Sequence, residues 1–239
     1  MSSPEAGLEL GEPWRFDAEV AAGFDGYLSR SIPGASEMRR IVTGLALRYA
    51  RRGTTVLDLG CAGGGSLAPI IEARGDWLRY LGVEASEPMV EATRTRFGPL
   101  VEEGTLTVTH ANLKGWFPDV EPSVVLAVLT LQFVPIEFRY RVVRDAYRSL
   151  LRGGAMLLVE KVLGSSADVD EALVELYYER KREAGFSDGE INRKRLSLEG
   201  VLVPLTATGN EDLLRSAGFT AVEVVWRTLN FAGWLALKA

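Results

Sequence analysis

The sequence V-L-D-L-G-C-A-G-G-G-S at residues 56–66 decides the fold class of this chain. Its first four residues are apolar except for Asp58, and the next six positions contain four glycines. An apolar run that ends in a glycine-rich turn and leads into a helical pattern is the strand–turn–helix of a nucleotide-binding α/β unit. Glycine lets the backbone approach a ligand, and the free amides of a helix N-terminus can bind its polar groups. The stretch therefore predicts a site for a nucleotide-containing cofactor.

The composition indicates a globular protein with one main domain. The chain has 239 residues, of which 47% are hydrophobic, and this is enough for a large α/β core. Its net charge of −5 disfavours non-specific nucleic-acid binding, which needs clustered Lys and Arg. The single cysteine fits a reducing compartment, and the first residues lack the features of a secretory signal. The longest uncharged run, 122–136, is shorter than the about 20 residues of a membrane helix. We therefore expect a cytoplasmic protein with a small-molecule substrate and no direct nucleic-acid or membrane partner.

Apolar and amphipathic segments alternate along the chain, as strands and helices do in a doubly wound sheet. The predicted strands are residues 54–59, 78–83, 105–109, 123–131, 155–160, 222–226 and 231–237. The predicted helices are residues 14–32, 37–52 (with Ser36 as the N-cap), a segment from near 66, 87–97, 137–151, 168–183 and 211–217. We expect an α/β fold with a doubly wound, Rossmann-like, mostly parallel seven-stranded sheet. Its last two strands should form an antiparallel hairpin, because no helix separates them.

The segment between the last predicted crossover and the hairpin differs from the rest. Residues 163–208 are rich in charge and lack an obvious strand, so they predict a helical lid inserted into the core. We therefore expect an N-terminal helical cap at 1–53, which begins with a flexible lead at 1–13. A cofactor-binding core at 54–162 and 209–239 and the lid complete the expected organisation.

The glycine turn fits two classes of cofactor. Gly60, Ala62 and Gly65 nearly match G-x-G-x-x-G, and Glu84 ends the second predicted strand, where an acid can hold a ribose. A nicotinamide dehydrogenase and an S-adenosylmethionine enzyme both satisfy this pattern. Asp58 favours the second, because a carboxylate so close to the turn would repel a pyrophosphate but attract a cationic sulfonium cofactor with an amino-acid tail. The chain has no cluster of Cys, His and Asp with metal-ligand spacing, so we expect no metal.

Several segments resemble class I methyltransferases, and more specifically one of their families. L-L-R-S-A-G-F at 213–219, before the hairpin, and L-L-R-G-G-A-M-L-L-V-E at 150–160 resemble class I methyltransferases in general. The segments F-D-A-E-V-A-A-G-F-D-G-Y-L-S-R-S-I-P-G at 16–34, L-T-L-Q-F-V at 129–134 and V-E-K at 159–161 are similar to the carboxy-S-adenosylmethionine synthase family. So are A-G-F-S-D-G-E-I-N-R-K-R-L-S-L-E-G-V-L at 184–202 and N-F-A-G-W-L-A-L-K at 230–238. The resemblance implies a homodimer with the methyltransferase fold. It also implies that S-adenosylmethionine and prephenate are converted to the carboxymethyl cofactor used in wobble-uridine tRNA modification.

The same resemblance implies roles for individual residues. Arg195 falls on the lid arginine that grips the cofactor carboxylate in the family. The other positions are implied cofactor contacts at the glycine turn, the ribose, the adenine and the central strand: Asp58, Gly60, Cys61, Ala62, Gly63, Glu84, Ala85, Asn112, Leu113 and Val128.

Two departures from the family's pattern bear on the reaction. Ala35 stands where the family has Tyr, and Val128 stands where it has Asn. Because sites recognise polar groups by matched hydrogen bonds, these changes favour methyl transfer from S-adenosylmethionine to a small-molecule acceptor. Synthesis of carboxy-S-adenosylmethionine is the alternative, and a protein that binds the cofactor without turnover is a third possibility. A base is needed only for an acceptor that binds protonated, and Glu160 and His110 are the candidates.

Overall fold

The computed structural model describes residues 14–239, except for the side chains at positions 19, 21 and 22. The lead predicted at 1–13 lies outside the described residues. The strands are β1 (Thr55–Leu59), β2 (Arg79–Glu84), β3 (Leu106–His110), β4 (Pro122–Val128), β5 (Ala155–Leu163), β6 (Leu205–Thr206), β7 (Ala221–Thr228) and β8 (Phe231–Leu237). The helices are α1 (Ala18–Ser31), α2 (Ala35–Tyr49), α3 (Ala68–Arg74), α4 (Glu87–Arg96), α5 (Gly98–Glu102), α6 (Ile136–Ser149), α7 (Ala167–Glu183), α8 (Asp188–Ser197) and α9 (Ala207–Ala217).

The sheet has the strand order β3-β2-β1-β4-β5-β8-β7. Strands β1 to β5 are parallel, and β8 is antiparallel to both β5 and β7. The prediction of a doubly wound sheet with a C-terminal hairpin is therefore confirmed. Because the order reverses between β1 and β4, a crevice forms outside the carboxyl ends of these strands, where open α/β sheets bind ligands.

The sheet also contains a short strand that the sequence prediction missed. The expectation that 163–208 lacks a strand is wrong, because β6 pairs with the end of β5 through Val162↔Leu205 and Leu163↔Thr206. This two-residue strand pairs only with β5 and lies outside the continuous order of the sheet, which contains the seven strands that were predicted. It was missed because a two-residue pairing has no periodicity of its own.

Alternating residues of the central strands fill two separate cores. Leu57 and Val125 belong to one buried cluster, and their neighbours Val56 and Val124 belong to the other. Successive side chains of a strand point to opposite faces, so the sheet is covered on both sides. Residues of α6 and α9 complete the first cluster, and residues of α2 and α3 the second. Burial on both faces explains why β4 reads as a continuous apolar run.

Three element boundaries differ from the predicted ones for local reasons. Ser36 is not an N-cap, because α2 begins at Ala35 after Gly34, which has a left-handed φ of 74°. Strand β4 ends at Val128 and not at residue 131, because Leu129 has a φ of 60° and turns the chain into a 3₁₀ turn at Leu131–Phe133. Helix α9 begins four residues early, since the Thr206 side chain caps it by accepting from the Gly209 N–H.

The N-terminal segment and the lid helices meet above the carboxyl ends of the strands. The Trp14 N–H donates to the Ser197 carbonyl oxygen at 2.8 Å. Tyr27 of α1 is buried against Phe186 and Ile191 of the lid. These contacts place α1, α7 and α8 as a roof over the crevice at the switch between β1 and β4.

Candidate functional site

One cavity of about 510 Å³ lies between the carboxyl ends of the parallel strands and this roof. Its volume is within the range of about 300–1,000 Å³ that is typical of cofactor and ligand sites. The floor includes Gly60, Glu84 and Val128, and the roof includes Trp14 and Tyr27. The cavity therefore joins the predicted glycine turn to side chains from the N-terminal cap and the lid.

The glycine turn approaches the loop after β4 closely. Gly60 lines the cavity with a φ of 73°, and a Cβ at this position would lie 2.5 Å from the Thr130 Cγ2 atom. Ala62 also lines the cavity, whereas Cys61 is buried behind the turn and Gly63 is not part of the lining. The residues that touch the cavity are therefore alternate members of the predicted cofactor loop.

Glu84 ends β2 and shapes the turn through its carboxylate. Its Oε2 accepts from the Ala62 N–H at 2.9 Å, and its Oε1 accepts from the N–H groups of Ala85 and Ser86 at 2.8 and 2.9 Å. An ionised carboxylate has about four lone-pair sites, so these three bonds leave capacity for a further donor. Because Glu84 lines the cavity, a ribose hydroxyl is a suitable donor.

Asp58 is a buried acid without a partner for one of its oxygens. Its side chain is 1% exposed, and Oδ2 makes no hydrogen bond within the described part of the chain. Burial, and secondly the negative charge of Glu84, raise the pKa of Asp58 to about 7. A buried acid of this kind fits a cationic group of a ligand, which would stabilise its ionised form. Together with the remaining capacity of Glu84, this fits the cationic amino-acid end and the ribose of S-adenosylmethionine.

The residues predicted next to the ribose acid, at the adenine and on the central strand do line the cavity. Ala85, Asn112, Leu113 and Val128 all contribute to its wall. The Asn112 Oδ1 accepts from the Lys114 N–H at 2.9 Å, so the turn after β3 is fixed by its own side chain. This wall is formed at the carboxyl ends of strands β2, β3 and β4, which is where open α/β sheets bind ligands.

Glu160, a predicted base, is not part of the cavity lining and holds a turn instead. It is 2% exposed. Its carboxylate accepts from the N–H groups of Thr130, Leu131 and Gln132 at 3.1, 2.8 and 2.7 Å. Burial raises its pKa to about 8, although these amides and the Arg139 guanidinium lower it. The side chain fixes the turn that carries Thr130 and Gln132 into the cavity wall.

His110 and Arg195 also lie outside the cavity lining. His110 is exposed, with its Nε2 atom 3.0 Å from the Ala85 carbonyl oxygen. Arg195 lies on the exposed side of α8, where its guanidinium donates to Asn192 Oδ1 and forms an ion pair with Glu199. To bind a ligand in the cavity of its own chain, Arg195 would have to leave these partners.

The structure brings cations into the cavity that the sequence analysis did not select. Lys161 and Lys194 line its inner part, and Arg15 and Lys114 line it elsewhere. Lys194 is buried, and its ammonium packs on the ring of Trp14 and lies 5.1 Å from the centre of the Tyr27 ring. Both lysines are in segments of the family resemblance, but only the packing of β5 and α8 shows that they face the cavity.

Among residues 14–239, with the three side chains noted above left out, no group of three or more His, Cys, Asp and Glu is placed to hold a metal ion. No helix in the same part of the chain is long and apolar enough to span a bilayer.

Comparisons with known proteins agree with the geometry. A methyltransferase-domain family model matches residues 57–158. The carboxy-S-adenosyl-L-methionine synthase of Methylococcus capsulatus is 36% identical over 224 residues, which are 93% of this chain and 93% of that protein. The enzyme of the same name from Wolinella succinogenes is 36% identical over 238 residues, which are 96% of this chain and 95% of that protein.

The fold is also shared with solved structures. Human N-acetylserotonin methyltransferase in complex with SAM superimposes with a TM-score of 0.63 at 15% identity. The match covers 93% of this chain but only 55% of the human chain, so this chain spans about half of that neighbour's length. The structural match shows the fold, and the full-length relatives show the family. The chain therefore belongs to the carboxy-S-adenosyl-L-methionine synthase family of S-adenosylmethionine-dependent enzymes.

Proposed function

We propose that this enzyme synthesises carboxy-S-adenosylmethionine from S-adenosylmethionine and an anionic carboxyl donor. In this reaction a C–H bond of the cofactor methyl group is replaced by a bond to a carboxyl carbon. A proton leaves the methyl group, and the sulfonium is retained. Prephenate is the donor that the family resemblance implies. Its carbon–carboxyl bond breaks, and its ring becomes aromatic as the ring hydroxyl leaves. The hydroxide and the proton from the methyl group leave as water, so phenylpyruvate is the second product.

The observation that carries the proposal is the two-part cavity. One part is lined by Gly60 and Ala62 of the glycine turn and by Glu84, which suit the cofactor, and Asp58 is buried next to this turn outside the lining. The other part lies beneath the roof and contains Lys161 and Lys194, which suit an anionic second ligand. Identity of 36% over 93% of both chains supports the same reading, since a relative so similar along its whole length carries the synthase name.

Methyl transfer to a small acceptor is the second candidate, and Val128 is the observation in its favour. Val128 lines the cavity where the family has an amide, which makes this wall apolar. Ala35, the other departure, is 4% exposed and packs in the core beneath the roof, outside the cavity lining. Only one of the two departures therefore concerns the wall that a ligand would touch.

The test is to incubate the purified enzyme with S-adenosylmethionine and prephenate and to identify the products by mass spectrometry. We expect an adduct heavier than S-adenosylmethionine by the mass of carbon dioxide, formed only when prephenate is present. Formation of S-adenosylhomocysteine with an acceptor library, without this adduct, would instead support methyl transfer. Absence of either product from enzyme that binds the cofactor would support a binding protein.

The roles of the site residues follow from this proposal. Asp58, Gly60, Ala62 and Glu84 would hold the amino-acid end and the ribose, and the wall at 112–113 would hold the adenine. Arg195 stays a predicted carboxylate ligand. A homodimer and the division into cap, core and lid are expectations that light scattering and limited proteolysis can test.

A further inference from the structure

We propose that Lys161 binds the carboxylate of the second substrate and selects anionic over neutral ligands. The inference rests on the proposed function for the identity of that substrate, but not for the properties of the site.

The backbone places Lys161 on the cavity side of β5. Glu160, its neighbour, turns its carboxylate away to the amides of the 130–132 turn, and adjacent side chains of a strand point in opposite directions. The Lys161 N–H donates to the Gln132 Oε1 at 2.8 Å, which fixes the strand against the same turn. The Lys161 side chain therefore projects into the cavity from a rigid element.

No carboxylate among the described side chains forms an ion pair with the Lys161 ammonium. Its side chain is half-buried, and its Nζ atom lies 5.3 Å from the centre of the Tyr177 ring. Burial lowers the pKa of Lys161, and the charge of Asp170 on α7 partly opposes this. Asp170 forms no ion pair with Lys161, and its Oδ1 accepts from the Gly164 N–H at 2.7 Å. An ammonium that is partly withdrawn from water and has no ion-pair partner is stabilised by an opposite charge, so an anionic ligand at this point would favour its charged form.

The surroundings of Lys161 fit an organic acid with an apolar body. The Ser31 hydroxyl lies 3.4 Å from the hydroxyls of both Tyr27 and Tyr177, so polar groups cluster beside the lysine. The lining also contains the apolar side chains of Leu28, Ile32, Phe24 and Phe231. If the carboxylate of a ligand pairs with the Lys161 ammonium, the ring or chain of that ligand would therefore pack against apolar side chains.

The test uses Lys161→Met, which keeps the length of the side chain and removes the charge. Lys114→Met is the matched control, because Lys114 also lines the cavity but is exposed and lies beside Asn112. The probes are prephenate, phenylpyruvate and the uncharged methyl ester of phenylpyruvate, titrated onto enzyme saturated with S-adenosylhomocysteine.

We expect Lys161→Met to weaken phenylpyruvate binding and to raise the KM for prephenate by about 10- to 100-fold, as a lost charge-assisted hydrogen bond does. Affinity for the ester and for S-adenosylhomocysteine should stay within about twofold, and Lys161→Arg should restore most of the anion affinity. Equal losses for anion and ester, or no difference from Lys114→Met, would overturn the proposal.

If wild-type enzyme makes no carboxylated product, the proposed function fails, but the binding of phenylpyruvate still tests Lys161. If Lys161→Met does not fold, labelling of wild-type lysines with an amine reagent provides the answer. Protection of Lys161 by phenylpyruvate and not by its ester would support the assignment, and equal labelling with and without phenylpyruvate would contradict it.

Discussion

Cofactor binding should release a proton, because Asp58 is held largely protonated in the ligand-free enzyme at acidic pH. Burial and the charge of Glu84 raise its pKa to about 7. Its Oδ2 atom has no hydrogen-bond partner in the described part of the chain. If the cationic end of the cofactor pairs only with ionised Asp58, then at any pH below this pKa binding must first remove the proton from Asp58.

The expected size follows from the pKa. At about pH 6, one unit below the pKa of Asp58, only about one tenth of the molecules carry the ionised form, and at about pH 8 nearly all do. The apparent Kd should therefore be about tenfold weaker at the lower pH, which is about 1.4 kcal/mol. Nearly one proton should be released per ligand at the lower pH, and almost none at the higher.

Isothermal titration with S-adenosylhomocysteine in buffers of different ionisation enthalpy measures both quantities. Asp58→Asn should remove the pH dependence and weaken binding at high pH, whereas the exposed Asp76→Asn should behave as wild type. Any titration of the ligand itself is the same for all three proteins and cancels in the comparison. An equal Kd across this pH range in wild type, or an unchanged pH dependence in Asp58→Asn, would refute the pairing.

Three further substitutions test other parts of the site. Gly60→Ala should cost about 1–3 kcal/mol of unfolding free energy in urea and abolish cofactor binding, because its φ is left-handed and the new Cβ would strike Thr130. Gly53 also has a left-handed φ, but a Cβ there would meet no other atom. Gly53→Ala should therefore lower the unfolding free energy by less than Gly60→Ala and leave cofactor binding unchanged. Glu160→Gln should flatten the pH dependence of stability. The pKa of this acid is about 8 in the folded state, above its usual value. The unfolding free energy of wild type should therefore fall as pH rises from about 4.5 to about 8, by at most about 1.4 kcal/mol per pH unit. Arg195→Ala should leave the Kd of S-adenosylhomocysteine within about twofold, since this side chain is exposed; a tenfold loss would place it in the site.

The cofactor half of the cavity was predictable because it depends on local sequence. Gly60, Ala62 and Glu84 follow directly after β1 and β2, and parallel strands bring their carboxyl ends to one edge. Strand alternation therefore suffices to place these residues together. Asn112 and Val128 follow the same logic at the ends of β3 and β4, and all five line one wall.

The other half was not predictable, because it depends on how the cap and the lid pack. Neighbouring positions on α8 differ completely: Lys194 is buried in the cavity wall, whereas Arg195 is exposed and forms an ion pair with Glu199, just after the helix. A charge run gives no sign of which member faces inwards. Likewise, Glu160 was expected to face the substrate, but three amides that only the turn after β4 presents bind its carboxylate.

The two halves are also physically connected, which limits how independently they can act. Asp25 of α1 accepts from Arg39 and from Arg96 at 3.3 and 2.8 Å, and the Arg96 guanidinium also donates to the Gly63 carbonyl oxygen of the glycine turn. The Ser86 hydroxyl, next to the Glu84 network, donates to the Phe16 carbonyl oxygen. The roof is thus bonded to the glycine turn and to the loop after β2, where we propose that the cofactor binds. A ligand that orders the glycine turn should therefore also order the roof, so that the second substrate meets a formed site only after the cofactor has bound.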